Sequence, residues 1–369
     1  MPPVSRRTFL AAAAAAVPLA PRRGLRQDPP ADLAWTDVVD WPIEGRAFAA
    51  RKAPYDRLPA AAEGVVRKEV WDLSRNSAGM AVRFATDSPT LRVRYRVSSE
   101  RLAMAHMPAT GVSGVDLYGR DGDAWRWLEV SRPQKQSVEH TMFAKAKAGE
   151  RREFTLYLPL YNGVDKLELG VAADAKLAPL PARGATNKPI VVYGTSIVHG
   201  ACASRPGMAW PAILGRRLDR EVINLGFSGN GRMEPEVGRF VAELDAAAFV
   251  IDCLPNMNSK QVAERAEPLV AQLRAARPTT PILLVEDRTF GNAWFDAARR
   301  AEHAKRRQAL RDAHARLVAG GDADVHLLGG ESLLGDDLDG TTDGSHPNDL
   351  GMFRMAEHVH AALAPRLKA

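Results

Sequence analysis

The stretch Pro189-Ile190-Val191-Val192-Tyr193-Gly194-Thr195-Ser196-Ile197 decides how the second half of the chain folds. Pro189 to Tyr193 is a continuous apolar run with no side to leave in water, so it reads as a strand buried on both faces. The glycine that ends it opens a turn into a helix. Four more runs of this kind follow: Glu221 to Asn224, Ala248 to Cys253, Pro281 to Val285 and Asp324 to Leu328. Segments with helical spacing separate or follow them, namely Ala209 to Leu218, Glu234 to Leu244, Lys260 to Ala276, Asp296 to Val318 and Leu350 to Leu363. Short buried strands joined by crossover helices predict an α/β three-layer, doubly wound parallel sheet.

Upstream, from about Trp35 to Val171, the pattern changes to short alternating runs broken by Gly, Asn, Asp or Pro. They are Ala81 to Phe84, Leu91 to Val97, Val115 to Tyr118, Trp125 to Val130, Phe154 to Leu158 and Leu167 to Leu169. In Leu91 to Val97, Leu, Val, Tyr and Val fall on one side and three arginines on the other, so one face is buried and one is wet. Runs of this kind predict an all-β sandwich, jelly-roll-like, with antiparallel sheets. Ala172 to Lys188, rich in Ala, Pro and Gly, marks the boundary. The organisation read from the sequence is a leader at 1–30, a sandwich domain at 31–180 and an α/β domain at 186–369, with no internal repeat.

A chain of 369 residues is a prior for two domains, and its 46% hydrophobic and 25% charged composition is that of a folded globular protein. The formal net charge of +6 is concentrated at the N-terminus, where Arg6, Arg7, Arg22, Arg23 and Arg26 meet no acid. Without those five the chain is close to neutral, and no later stretch interleaves Lys or Arg with aromatics, which excludes a nucleic-acid face. Ser5-Arg6-Arg7-Thr8-Phe9-Leu10, followed by the apolar run to Ala20, reads as a twin-arginine signal, too short to span a bilayer stably. It implies the twin-arginine export machinery as a partner, a periplasmic or secreted location, and a mature chain with no membrane span. Two cysteines, Cys202 and Cys253, allow at most one disulfide and form no metal cluster; two buried thiols are the default reading.

In a doubly wound sheet the chemistry gathers at the carboxyl ends of the strands. After the first strand stands Gly194-Thr195-Ser196-Ile197, after the second Asn224 to Gly231, after the third Leu254-Pro255-Asn256, and after the last Asp343-Gly344-Ser345-His346-Pro347. Acyl transfer needs a nucleophile, a base, a carboxylate that holds the base in one tautomer, and donors for the oxyanion. Ser196, His346 and Asp343 fill the first three roles, and the backbone N–H groups of Ser196 and Gly229 with the Asn256 side chain fill the fourth. Singly these signals are weak, since a Ser after a strand is usually a helix cap and an Asp-x-x-His in a loop usually turn chemistry; their joint order along one sheet edge distinguishes them.

These four blocks resemble the SGNH or GDSL-type serine esterases and lipases, with Ser196, Gly229, Asn256 and His346 in the four named places. Thr195 stands where the family has Asp, and Leu254-Pro255-Asn256-Met257 replaces its Gly-x-Asn-Asp. Gly114-Val115-Asp116-Leu117-Tyr118 is similar to the Gly-x-Asp-Leu-Tyr motif in the N-terminal domain of one subgroup, and Cys202 to Met208 and Glu286 to Thr289 also look like that subgroup. The resemblance implies a three-layer catalytic domain, hydrolysis of carboxylic esters, often acetyl groups on carbohydrates, and neither cofactor nor metal.

His199, Arg205 and Arg288 are candidates for substrate binding. For the arginines the competing reading is a buried ion pair with Glu286 or Asp287. Trp125, Trp127 and Tyr118 could form an aromatic platform for sugar rings, or could simply fill the core. Asp116 is a candidate anchor between the domains. The function expected is an exported serine esterase acting on short-chain, chiefly acetyl, esters of carbohydrates. The alternatives are a lipase or thioesterase for longer acyl chains and a non-catalytic glycan-binding protein on an esterase scaffold.

Overall fold

The structure, a computed structural model, describes residues 32–185 and 187–367. The twin-arginine stretch lies outside them. The first ten strands are β1 (Leu33–Asp37), β2 (Ile43–Glu44), β3 (Ala81–Thr86), β4 (Leu91–Val97), β5 (Asp116–Asp121), β6 (Ala124–Val130), β7 (Ser137–Phe143), β8 (Arg152–Tyr157), β9 (Val164–Ala172) and β10 (Leu177–Pro179). One antiparallel sheet runs β1-β9-β4-β7; the other runs β10-β3-β8-β5-β6, with β2 beside β3. Both sheets face one apolar core that includes Val82, Phe84, Leu91, Val93, Tyr95, Leu117, Phe154, Leu156, Leu167 and Leus of the neighbouring strands such as Leu169. Burial alternates along β4 as its sequence requires, with Leu91, Val93, Tyr95 and Val97 inside. Outside, Arg94 makes a two-pronged ion pair with Glu168 across the sheet (2.6 and 2.8 Å).

Two short helices interrupt the strands, α1 (Lys68–Ser74) and α2 (Ala109–Val112). The segment around α1 leaves the sandwich: Phe48, Leu58, Val66, Val70 and Trp71 are buried with residues of the second domain, not with the sheets.

The second domain holds β11 (Ile190–Gly194), α3 (Ser196–His199), α4 (Trp210–Leu218), β12 (Val222–Gly226), α5 (Pro235–Glu243), β13 (Ala248–Asp252), α6 (Ser259–Ala276), β14 (Ile282–Val285), α7 (Ala297–Ala319), β15 (Val325–Leu328) and α8 (Asp349–Leu363). All four strand pairings are parallel, in the order β12-β11-β13-β14-β15. Neighbouring residues of β11 point to opposite faces. Val191 and Tyr193 join the core under α5, α6 and α7, and Ile190 and Val192 join the core under α4 and α8. A strand with an apolar core on each side is why Pro189 to Tyr193 shows no alternation. The helix starts are set locally. Asn258 and Gln261 form a reciprocal capping box on α6, and Asn348 caps α8 by accepting from Gly351 N–H (3.1 Å). The chain steps from β11 to β12 on one side and then to β13 on the other, so the order reverses at β11, whose carboxyl end carries Ser196.

Candidate active site

Ser196 is the first residue of α3, directly after the turn that ends β11. Its backbone N–H has no partner within the helix at that position, and Thr195 caps the helix by accepting from Ile197 N–H (3.3 Å). Ser196 Oγ lies 2.9 Å from His346 Nε2, and His346 Nδ1 lies 2.7 Å from Asp343 Oδ2. The other Asp343 oxygen accepts from the backbone N–H groups of His346 (2.7 Å) and Ser345 (2.9 Å). Burial opposes ionisation of Asp343, yet the His346 ring and these two amides donate to it and hold its carboxyl down at about 2. A hydroxyl, an imidazole and a carboxylate thus stand in one hydrogen-bonded line, with the ring kept as an acceptor toward the serine.

The loop after β12 closes over the same edge. Phe227 N–H donates to the Gly194 carbonyl (2.9 Å), and Asn230 and Gly231 N–H donate to the Phe227 carbonyl (2.8 and 2.9 Å). A Cβ on Gly231 would come within 2.0 Å of the Gly194 oxygen, so glycine is needed there for close approach. Gly229 differs: at φ +71° it occupies the left-handed region, and a Cβ on it would meet nothing within 4 Å. The space beside it is open to a ligand. Asn256 follows β13 and reaches this loop. In the orientation its neighbours require, its side-chain oxygen accepts from Asn230 (3.0 Å) and Gly231 (3.2 Å) N–H, which turns its NH2 away from these amides. Gly229 and Asn256 are therefore held on one loop cluster at the strand edge that carries Ser196.

The three residues expected to touch substrate are engaged elsewhere. His199 is fully buried, its ring stacks on Tyr161 (4.1 Å between centroids), and Nε2–H donates to the Leu160 carbonyl (2.7 Å). Burial, with Arg57 nearby, pushes it well below the usual histidine range. It is a neutral spacer between the domains, because the sandwich covers it. Arg205 pairs with neither Glu286 nor Asp287. It donates to Asp116 Oδ2 (2.8 Å) and to the Tyr118 hydroxyl (2.6 Å), while Gly207 N–H also donates to Asp116 (2.8 Å). Asp116, fully buried, is thus the anchor between sandwich and α/β domain. Arg288 is buried against Asp287, and its Nε and NH2 groups donate to the Ser345 carbonyl (2.9 Å) and hydroxyl (2.5 Å). Its guanidinium steadies the loop that carries Asp343 and His346 and is too deep to meet substrate.

Of the expected aromatic platform only Trp127 stays exposed (46%). Tyr118 is buried, Trp127 donates to Asp116 (3.0 Å) and Trp125 to Asp219 (3.3 Å). A different aromatic pair is exposed: Trp294 (67%) and Phe295 (82%), packed edge to face on the loop after β14. That loop is fastened to the histidine loop by Gly291 N–H donating to the Gly344 carbonyl (2.9 Å).

Three residues of the first half support the site with no motif to announce them. Arg57, buried and pushed down to about 9 by burial, stays charged at neutral pH and donates to the carbonyls of Gly226 (2.7 Å) and Asn224 (3.2 Å). Tyr161 donates to the Ser196 carbonyl (3.4 Å). His106 stacks on His346. Each lies far from its partner in sequence, and only a clustered pattern would have exposed them.

Cys202 and Cys253 are both buried, free thiols. Cys202 Sγ lies within 4.8 Å of ligand atoms of Asp343 and His346. Burial pushes that thiol up to about 11, so it stays protonated at neutral pH, and the carboxylate and imidazole are committed to each other.

Parallel sheet, strand order and the serine at the reversal point define a doubly wound, three-layer α/β protein with its candidate site at the switch point. The model of the GDSL-like lipase/acylhydrolase family matches residues 187–364, and that of the GxDLY N-terminus of SGNH-hydrolase-type esterases matches 33–177. A solved structure described as a GDSL-like lipase from Bacteroides ovatus ATCC 8483 is 32% identical, covering 91% of this chain and 98% of that one, with a TM-score of 0.86. The chain belongs to the GDSL-like lipase/acylhydrolase family, and is a carboxylic ester hydrolase. A salicylyl acyltransferase from a tetracycline biosynthetic pathway shares the fold at 20% identity (91% and 99% covered, TM-score 0.71). So does an acetyl xylan esterase from the rumen bacterium Butyrivibrio proteoclasticus at 10% identity (91% and 99% covered, TM-score 0.58). No curated protein matches the chain. Among the described residues no helix is long and apolar enough to cross a membrane.

Proposed function

We propose that the chain is an exported serine esterase that removes a short acyl group, acetyl foremost, from a carbohydrate. The observation that carries this reading is the line from Ser196 Oγ through His346 to Asp343, at 2.9 and 2.7 Å. Ser196 Oγ attacks the ester carbonyl carbon while His346 Nε2 takes its proton, and the carbonyl oxygen becomes an oxyanion facing the Ser196 and Gly229 N–H groups and the Asn256 NH2. His346 returns the proton to the leaving alcohol oxygen, and the acyl group stays on Ser196. Water then attacks the acyl-enzyme by the same route, releasing the acid and restoring the serine.

The carbohydrate reading is supported by the fold shared with carbohydrate esterases and by the exposed Trp294–Phe295 pair beside the histidine loop, suited to stacking on a ring. Export is supported by the Arg6-Arg7 leader. A jelly roll is supported by the sandwich order, in which β1 pairs with β9 and the chain crosses between the two sheets at every step except β2 to β3 and β5 to β6.

Hydrolysis of 4-nitrophenyl acetate, butyrate and octanoate by the wild type and by Ser196→Ala tests the proposal. Acetate turnover that disappears in the variant supports it. Preference for octanoate overturns the short-acyl reading, and turnover that survives in Ser196→Ala overturns the serine mechanism.

A further inference from the structure

The turn Met104 to Met107 belongs in sequence to the sandwich half, yet it is seated on the α/β domain. Its ends pair in both directions, Met104 N–H with the Met107 carbonyl (3.0 Å) and the reverse (3.1 Å). Met107 is buried in the core that holds Leu160, Ile197 and Val198. Behind it, Thr110 Oγ1 donates to the Ser204 carbonyl (2.7 Å), and a Cβ on Gly111 would come within 2.5 Å of the Ala203 oxygen. Fastened at both points, the turn holds the exposed ring of His106 over His346, with centroids 5.8 Å apart and planes 23° from parallel. The acyl-transfer steps above give His106 no role.

We propose that His106 walls the subsite for the alcohol half of the ester, so that the sandwich domain selects which alcohol is released; this rests on the esterase reading. The leaving oxygen takes its proton from His346 Nε2, so the alcohol must lie along that imidazole as the bond breaks. The carbonyl oxygen faces the other way, toward Gly229 and Asn256. An exposed ring stacked on the imidazole that protonates the leaving oxygen is therefore placed to meet the alcohol. A neutral imidazole presents one N–H donor and one acceptor nitrogen. That pair fits an alcohol carrying further hydroxyls, as a pyranose does, better than a plain alkyl group.

The test compares wild type, His106→Ala and His106→Gln on acetates that differ only in the alcohol: ethyl acetate, 4-nitrophenyl acetate and an acetylated methyl xyloside. His106→Ala is expected to lower kcat/KM on the xyloside about tenfold more than on ethyl acetate, chiefly through KM, the scale of one net hydrogen bond. His106→Gln, which keeps a donor and an acceptor, is expected to recover part of that difference. An equal loss on all three acetates, or no loss on the xyloside, overturns the inference and leaves the esterase reading standing. So does a wild type that turns over 4-nitrophenyl acetate through Ser196 but never the xyloside. A wild type inactive on all three overturns the esterase reading, and the inference with it.

Discussion

The two sides of the site are held in place by different means. Ser196 is buried at the end of a strand that has an apolar core on each face, and the loop beside it fits so closely that Gly231 has no room for a methyl group. Asp343 sits on an exposed loop, where hydrogen bonds do the holding: Arg288 to Ser345, Asn348 Nδ2 to the Asp339 carbonyl (2.7 Å), and Thr342 N–H to the His346 carbonyl (2.9 Å). The proposed nucleophile is placed by the packing that folds the domain, whereas the proposed base and carboxylate are placed by a local network on its surface. Changes on the serine side should therefore cost stability as well as rate. Changes on the histidine side should cost rate with little stability.

The largest effect expected is that of Asp343→Asn. Two backbone N–H groups pin Oδ1 as an acceptor, so the new NH2 would face His346 Nδ1 and force the wrong tautomer. Turnover of 4-nitrophenyl acetate should fall by about 10⁴, the loss an amide causes in such a line, with the Tm nearly unchanged; a Tm that falls with the rate would break the comparison. Asn256→Ala should lower kcat by roughly 10² to 10³, as loss of one oxyanion donor does. A normal kcat would remove its NH2 from that role. Gly231→Ala should destabilise the chain by about 1–3 kcal/mol through overpacking against Gly194, and thermal unfolding at unchanged melting temperature would show that the serine side gives way easily.

The smallest effect concerns pH. Asp343, held at about 2 in the folded chain against about 3.9 for a free carboxylate, is partly exposed, so it adds only a small, solvent-screened stability above about pH 4 that is lost as pH falls toward about 2. Its charge is thus constant above about pH 4. The acidic limb of log kcat/KM should have a slope of one, and a slope of two would show that the carboxylate titrates with the imidazole.

Much of the fold was legible because burial writes itself into spacing. The five parallel strands fall within a residue or two of the apolar runs, and β4 spans Leu91 to Val97 as its alternation requires. Other strands left weaker marks. β7, Ser137-Val138-Glu139-His140-Thr141-Met142-Phe143, buries only Met142, since it lies at the edge of its sheet, and β1 is similarly half exposed. The site divides in the same way. Ser196, Gly229, Asn256, Asp343 and His346 could be read because each follows a strand and the strands end on one edge. For Arg288 the ion pair with Asp287 weighed in the sequence is the one that forms, whereas His199 and Arg205 meet the Leu160 carbonyl and Asp116, because a polar residue near a strand end looks the same in sequence whether it faces a ligand, a carbonyl or a carboxylate.

What the sequence by itself determined is the layered α/β domain, the antiparallel sandwich and the order of the chemical groups along the sheet edge, since hydrophobic period and glycine position are local signals. Only the tertiary structure decided that Asp116 takes Arg205, that Arg57 and Tyr161 support the serine side, and that His106 stands over His346. Those contacts join residues 35 to 240 positions apart, and no spacing rule reaches that far: they depend on where two separately formed cores meet.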